Sequence, residues 1–211
     1  MEKKSKNKAV KSGIFIAVFV LSIMIIGVSV SYAYFSANVV GSSDTGENQA
    51  DKLNVTTTLT SGGAINATSL AIIDGSEYLT KAEHFEFTVT NNTDSTVRAK
   101  YAINLTDITI SKNILSKYFK WAIVVNSDTS NAITGDFQDA SLATEGTSDT
   151  TTVTIDSKVL VSEEDALELD IGATDTLTFY LWLENDDNVD QLYLTNGNMT
   201  AKLSLDAFPV R

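Results

Sequence analysis

Residue types that build many enzyme sites are scarce in this chain of 211 residues. It contains no cysteine, which excludes disulfide bonds and thiol nucleophiles. Its one histidine is His84, whereas a catalytic zinc site usually takes two or three, and a Ser-His-Asp triad would need this same residue. We therefore predict no catalytic residue and no enzyme activity. Its one proline is Pro209, so no proline interrupts the earlier part of the chain.

Basic residues are also few beyond the N-terminal segment. The whole chain has 15 basic and 27 acidic side chains, for a formal net charge of −12. Removing residues 1–33 takes away five lysines and one glutamate, and −12 − 5 + 1 leaves −16. Such a surface repels nucleic acid and anionic lipid headgroups. We expect no nucleic-acid partner.

The first 33 residues have the pattern of an export signal. Five lysines precede the apolar run Ile14–Val30, whose 17 residues exceed a usual signal core and reach the lower limit of a membrane span. Ser31 and Ala33 place small residues at the −3 and −1 positions of a cut between Ala33 and Tyr34. We predict cleavage there by signal peptidase, with a membrane anchor through Ile14–Val30 as the alternative. Either outcome places the protein outside the cell, secreted or at its surface.

Alternation of apolar and polar residues predicts half-buried antiparallel strands over most of the chain after residue 52. The segments are Leu53–Leu59, His84–Thr90, Val97–Leu105, Trp121–Val125, Thr151–Ile155, Leu177–Leu183 and Met199–Phe208. This many strands favour an all-β fold over residues 53–211, an antiparallel sandwich of two sheets, with a jelly roll as our first choice. Residues 34–52 are expected to form an N-terminal strand and a polar tether.

Three connections are predicted from local composition. Asn91–Asp94 has the turn residues of a hairpin between two strong strands. Asn113–Lys120 has the pattern of a short helical turn, and Ser127–Thr152 contains few large apolar residues. We interpret this last segment as a long excursion carried on the sandwich.

An acidic loop is the one candidate metal site. Glu184–Asp190 holds four carboxylates and two amides directly after a strand, and calcium binds six to eight such oxygens. Asp186, Asp187 and Asp190 are the predicted ligands. The loop lacks the residue order of an EF-hand, so a solvated acidic loop without any cofactor is the favoured alternative.

Two parts of the chain are similar to a known family. The boundary Gly27–Ser36 resembles the G-x-x-x-A-x-F-S-D boundary of precursors exported through the SipW-type signal peptidase, although Ala37 replaces the usual aspartate. Phe85–Asn92 resembles that family's x-F-x-V-x-N strand and turn. Leu177–Leu183, Asn188–Gln191 and Met199–Leu205 resemble its closing strands with the N-x-x-Q join. The family is the TasA/camelysin-like family of Firmicutes, which contains surface and biofilm-matrix proteins.

This resemblance implies a jelly roll and a structural role. Some members polymerise into extracellular fibres, in which the N-terminal segment of one mature subunit completes a sheet of the next. Camelysin is classed as a metallopeptidase, but one histidine without a zinc motif gives little support for that activity here.

The segment that follows the expected cut suits strand donation. Tyr34, Phe35, Val39 and Val40 are apolar and strand-forming, and the polar stretch Gly41–Asp51 separates them from the domain. Such a segment can pair with an exposed sheet edge of a neighbouring copy or of its own domain. We therefore expect a surface or matrix subunit that associates with other copies of itself through these residues. The alternatives are a secreted or membrane-anchored binding and adhesion module and, more remotely, a hydrolase.

Overall fold

The computed structural model describes residues 37–39, 52–59, 64–68, 70–138 and 146–210, with backbone alone for 37–39. The expected signal segment, residues 1–33, lies outside this part of the chain. Among the described residues from 52 onward, strands are the main regular structure, as the alternating pattern predicts.

The first sheet is centred on two long antiparallel strands, β6 and β12. Along the outer edge of β12 lie β3, antiparallel, and β1, parallel, while β9 and β10 pair with the other edge of β6. The six strands are β1 (Ala37–Val39), β3 (Ile65–Ala67), β6 (Ala99–Ser111), β9 (Thr152–Val161), β10 (Leu167–Leu169) and β12 (Met199–Pro209).

The second sheet is centred on β11, which pairs antiparallel with β5 on one side and with β7 on the other. Next to β5 lies β2, next to β7 lies β8, and the two residues of β4 pair parallel with the end of β11. The six strands are β2 (Val55–Leu59), β4 (Ile72–Ile73), β5 (Glu83–Asn91), β7 (Phe119–Val125), β8 (Asp128–Asp136) and β11 (Thr174–Glu184).

Helical structure in the described residues is limited to short turns. A 3-10 turn at Gly75–Glu77 continues into α1 (Tyr78–Lys81), which lies against β11. Two further 3-10 turns, Lys112–Ile114 and Leu192–Leu194, contact each other.

The strand order is that of a jelly roll. The chain passes from one sheet to the other so that β3-β12-β6-β9 form one row and β5-β11-β7-β8 form the other. Two Greek keys wound in this way produce the two four-stranded rows of the fold. The predicted all-β sandwich is therefore confirmed, with β1 and β4 as short parallel additions and β2 and β10 as antiparallel ones.

The core lies between the two rows and follows the predicted alternation. On β5, Phe85, Phe87 and Val89 are buried, while the residues between them are exposed or half-buried. The same period places Leu177 and Phe179 of β11 in the core, facing residues of β6 across the sandwich.

The hairpin predicted at Asn91–Asp94 is wrong, because β5 and β6 belong to different sheets. Each of these strands has one strongly apolar face, and both faces become buried when the strands lie on opposite sides of the core. The side chain of Asn91, which is fully buried, holds this crossing. Its amide donates hydrogen bonds to the carbonyls of Val97 (3.1 Å) and Leu169 (3.3 Å).

Two other local predictions need correction. The segment Ser127–Thr152 is not wholly an excursion, because Asp128–Asp136 forms β8 and pairs with β7. This edge strand carries mostly exposed residues, so its sequence lacks the apolar alternation of a core strand. The helical turn expected at Asn113–Lys120 is shorter, since β7 already begins at Phe119.

One close contact fixes the connection that leads into β12. Gly197 is buried, and a β-carbon added there would stand 2.1 Å from Cγ2 of Ile114. Ile114 is itself fully buried, so it has little room to move.

We predict that Gly197→Ala lowers the free energy of unfolding by about 1–3 kcal/mol, because the added methyl group overpacks this contact. Urea denaturation of the variant and of the parent protein measures the change. Asn198→Ala, at the exposed next position, is the control and should leave stability nearly unchanged. Equal stability of the two variants would show that Ile114 moves aside freely.

A buried tyrosine links the two sheets. Tyr101 of β6 is fully buried, and its hydroxyl donates a 2.6 Å hydrogen bond to Oδ2 of Asp175 on β11. The other oxygen of Asp175 accepts a 2.7 Å bond from Asn126. Burial first, and then the hydrogen bond with Asp175, raise the pKa of Tyr101 well above its usual value.

We predict that Tyr101→Phe lowers the free energy of unfolding by about 1.5–3 kcal/mol at neutral pH, because the carboxylate of Asp175 loses a charge-assisted hydrogen bond. The parent protein should also lose stability above about pH 10, where the tyrosine of the unfolded chain ionises and the folded one stays protonated. This loss should be smaller in the variant. Urea denaturation at pH 8 and pH 11 tests both points, and equal pH dependence in the two proteins would contradict the second.

Candidate functional site

The outer edge of β12 is the place where the predicted donor segment meets the domain. β6 covers the full length of β12 on one side. On the other side, β3 pairs with Met199–Ala201 and β1 pairs with Leu205–Ala207. In the part of the chain that the structure describes, β1 is the one strand on this outer side of Leu205–Ala207.

The sequence of β12 explains why this edge has a fixed orientation. Leu203, Leu205 and Ala207 alternate along the strand and are buried in the core, which determines the face that β12 turns inward. The backbone groups along the edge then point sideways, where only another strand can pair with them.

The contact between β1 and β12 is short and parallel. Ala37, Asn38 and Val39 lie opposite Leu205, Asp206 and Ala207 of the same chain. Pairing within the same domain is one of the alternatives that the sequence left open. Three residues in a parallel ladder make few hydrogen bonds, so this pairing can be exchanged at low cost.

Most of the predicted residues of this segment lie outside the described part of the chain. These are the cleavage pair Ala33 and Tyr34, the donor residues Phe35 and Val40, and the apolar run Ile14–Val30. Val39 alone of the predicted donor residues falls within β1. Nothing in the structure tests cleavage or donation, and both stay predictions.

The acidic loop after β11 is held in place by its own amides. Oδ1 of Asp186 accepts hydrogen bonds from the backbone and side-chain nitrogens of Asn188, both at 3.1 Å. These bonds hold the pKa of Asp186 below its usual value. Its other oxygen lies 3.4 Å from the hydroxyl of Tyr118.

The other two predicted calcium ligands bind separate partners. Asp187 accepts a 2.9 Å hydrogen bond from the amide of Asn185, and Asp190 accepts a 3.1 Å bond from the backbone nitrogen of Leu192. Within the described ranges, no three His, Asp or Glu side chains form a cluster that could hold a metal ion. Calcium binding by this loop stays a prediction, and the hydrogen bonds give each carboxylate a role in the loop itself.

Gln191 is a residue of this loop that was given no separate role from the sequence. It is buried, its side-chain oxygen accepts a 3.0 Å bond from the backbone nitrogen of Asp186, and its amide donates a 2.9 Å bond to the carbonyl of Glu184.

A second missed feature lies on the outer face of β11. Trp182 is almost fully buried there, because the ring of Tyr78 stacks on it with centroids 4.9 Å apart. The indole nitrogen donates a 2.8 Å hydrogen bond to Oε2 of Glu184, and the backbone nitrogen of Gly75 donates to Oε1 at 3.0 Å. The sequence shows these residues, but it does not show that α1 folds over the sheet.

His84 lies on the exposed face of β5, where its ring centroid is 5.8 Å from that of Tyr180. Its alternation with Phe85 and Phe87 predicts this position. The absence of enzyme activity and the remote peptidase alternative both stay untested.

Comparisons with known proteins add little to these observations. No protein-family model and no curated protein matches the chain. One solved structure that it is similar to is the crystal structure of an exo-β-1,3-galactanase from Phanerochaete chrysosporium with galactose, at 16% identity and a TM-score of 0.26. The similarity covers 74% of this chain and 29% of the galactanase chain, and a TM-score this low supports no argument about function. Among the described residues, no helix has the length and apolar character needed to cross a membrane.

Proposed function

We propose that this protein is an exported structural subunit of the cell surface or extracellular matrix, which assembles when β1 of one copy pairs with β12 of another. The observation that carries the proposal is the position of β1, a short parallel strand on an edge at Leu205–Ala207 that no other described strand pairs with. Export rests on the basic and apolar N-terminal sequence.

The length of the connection supports exchange between copies. Residues 40–54 join β1 to β2, and fully extended they can span about 50 Å at about 3.3 Å per residue. This reach allows β1 to leave its own domain and pair with the same edge of a neighbour. Because the surfaces in such a contact differ, it can repeat from copy to copy, and it extends as a filament when the rotation between copies does not close a ring.

The core formed by the described residues from 52 onward supports the same role. The two rows of the jelly roll form a continuous buried cluster that includes the inward residues of β12. We expect this cluster to keep the domain folded while its edge strand is replaced, which donor-strand exchange requires.

The second function class, a binding module, is favoured by a separate observation, a row of open cavities along the second sheet and the acidic loop. The peptidase alternative has no comparable support in the described residues.

A proline test addresses the assembly directly. In a parallel pair, alternate residues of a strand bond to the partner, so replacing two adjacent residues removes at least one ladder hydrogen bond. We predict that Asn38→Pro combined with Val39→Pro abolishes fibres or large oligomers of the native exported protein. Electron microscopy and sedimentation velocity over a range of concentrations measure assembly.

The matched control is Ser42→Pro combined with Ser43→Pro, which places two prolines in the polar connection and should preserve assembly. Circular dichroism should show the same strand content in all three proteins. A parent protein that stays monomeric at all concentrations, or fibres that persist in the Asn38 and Val39 double variant, would refute the proposal.

A further inference from the structure

Three open cavities adjoin one another along the second sheet and the acidic loop. Their volumes are about 290, 430 and 530 Å³. The first and second share Lys120 and Glu184 as lining residues, and the second and third share Lys117 and Tyr118. The shared residues place the three cavities side by side, and we call this row the three-cavity groove.

Aromatic side chains line both ends of the groove. At the first cavity, Tyr78 stacks on Trp182 and also meets the ring of Tyr180 edge-on, with centroids 5.3 Å apart. At the third cavity, Tyr118 and Tyr193 contribute their rings. Tyrosine and tryptophan combine a large apolar surface with a polar tip, which suits ligands that present both.

Polar groups that hydrogen bonds and an ion pair hold in position lie between these aromatic ends. The carboxylate of Glu184 is oriented by the indole of Trp182 and the backbone of Gly75. Beside it, Nζ of Lys120 lies 3.3 Å from Oδ2 of Asp136. The groove thus offers fixed acceptors and a donor within one cavity, which is typical of a site that binds hydroxyl groups.

The charge of the groove further limits the chemical class of ligand that it can bind. Five carboxylates and two lysines line the three cavities, and the chain as a whole carries a net charge of −12. Anionic polymers are therefore repelled. The cavities are open to solvent and follow one another, which fits a linear chain better than a compact cofactor.

We propose that the three-cavity groove binds a neutral, hydroxyl-rich oligosaccharide chain. The half-buried rings of Tyr78 and Tyr193, one at each end, pack against the apolar faces of sugar rings, and the carboxylates and lysines between them bind hydroxyl groups. The described lining of the groove includes no residue of the β12 stretch that pairs with β1, so glycan binding and assembly can fail independently.

Isothermal titration calorimetry on the native exported protein tests this proposal. The probes are the neutral hexasaccharides cellohexaose, xylohexaose and mannohexaose, with hexagalacturonate as an acidic probe and hexalysine as a basic peptide. We expect at least one neutral hexasaccharide to bind and both charged probes to bind more weakly.

Two substitutions locate the site without disturbing the core. Val189→Trp fills the third cavity from a partly exposed position, and Asp136→Asn removes one charge while keeping an acceptor for the backbone nitrogen of Gln138. Each should weaken glycan binding at least tenfold.

Matched controls use the same chemistry outside the groove. Leu192→Trp changes a more exposed residue of the same loop region, and Asp107→Asn removes a carboxylate that pairs with Lys202 at 2.7 Å. Both should bind as the parent protein does, with unchanged melting temperatures in all four variants.

Several outcomes would overturn the proposal. If no neutral hexasaccharide binds, the groove is not a glycan site. If hexalysine binds more tightly than every sugar, the acidic lining serves a basic peptide instead. If Val189→Trp and Asp136→Asn bind as well as their controls, any glycan site lies elsewhere.

Discussion

The burial of two apolar sheet faces against each other is the constraint on which this protein depends. Each of the long strands β5, β6, β11 and β12 has one face of large side chains, and both sheets must cover these faces to exclude water. This packing determines which residues of β12 point inward and which backbone groups remain at the edge. It also turns the alternate residues of β11, Tyr180 and Trp182 among them, toward the outside, where α1 covers them.

How much of this could be predicted from the sequence depends on the range of the interactions involved. Alternation is local, so the strong strands were found and the sandwich followed from their number. The crossing at Asn91 could not be found, because its buried amide bonds to Leu169, which is distant in sequence. Edge strands such as β8 bury little on either face, so hydrophobic patterning gives almost no signal for them.

The acidic loop and the groove also differ in how far the sequence alone could predict them. The acidic loop is contiguous in sequence, and its composition was visible at once. The residues of the groove are not contiguous in sequence. Strand register places Trp182 beside Lys120, and Lys120 beside Asp136, on three neighbouring strands. Glu184 lies two residues beyond Trp182 on β11, where the indole nitrogen of Trp182 and the backbone nitrogen of Gly75 orient its carboxylate. A single sequence contains these residues but not the pairing that assembles them.

The difference between the donor strand, β1, and its acceptor, the edge of β12, has a consequence for any assembly built through them. The same contact would relate each copy to the next, so every subunit in a row would point alike. Such a polymer is polar: one terminus presents a vacant β12 edge and the other an undocked β1. Growth at the two termini would then proceed at different rates, and a soluble peptide with the sequence of β1 would act as a cap on one terminus alone.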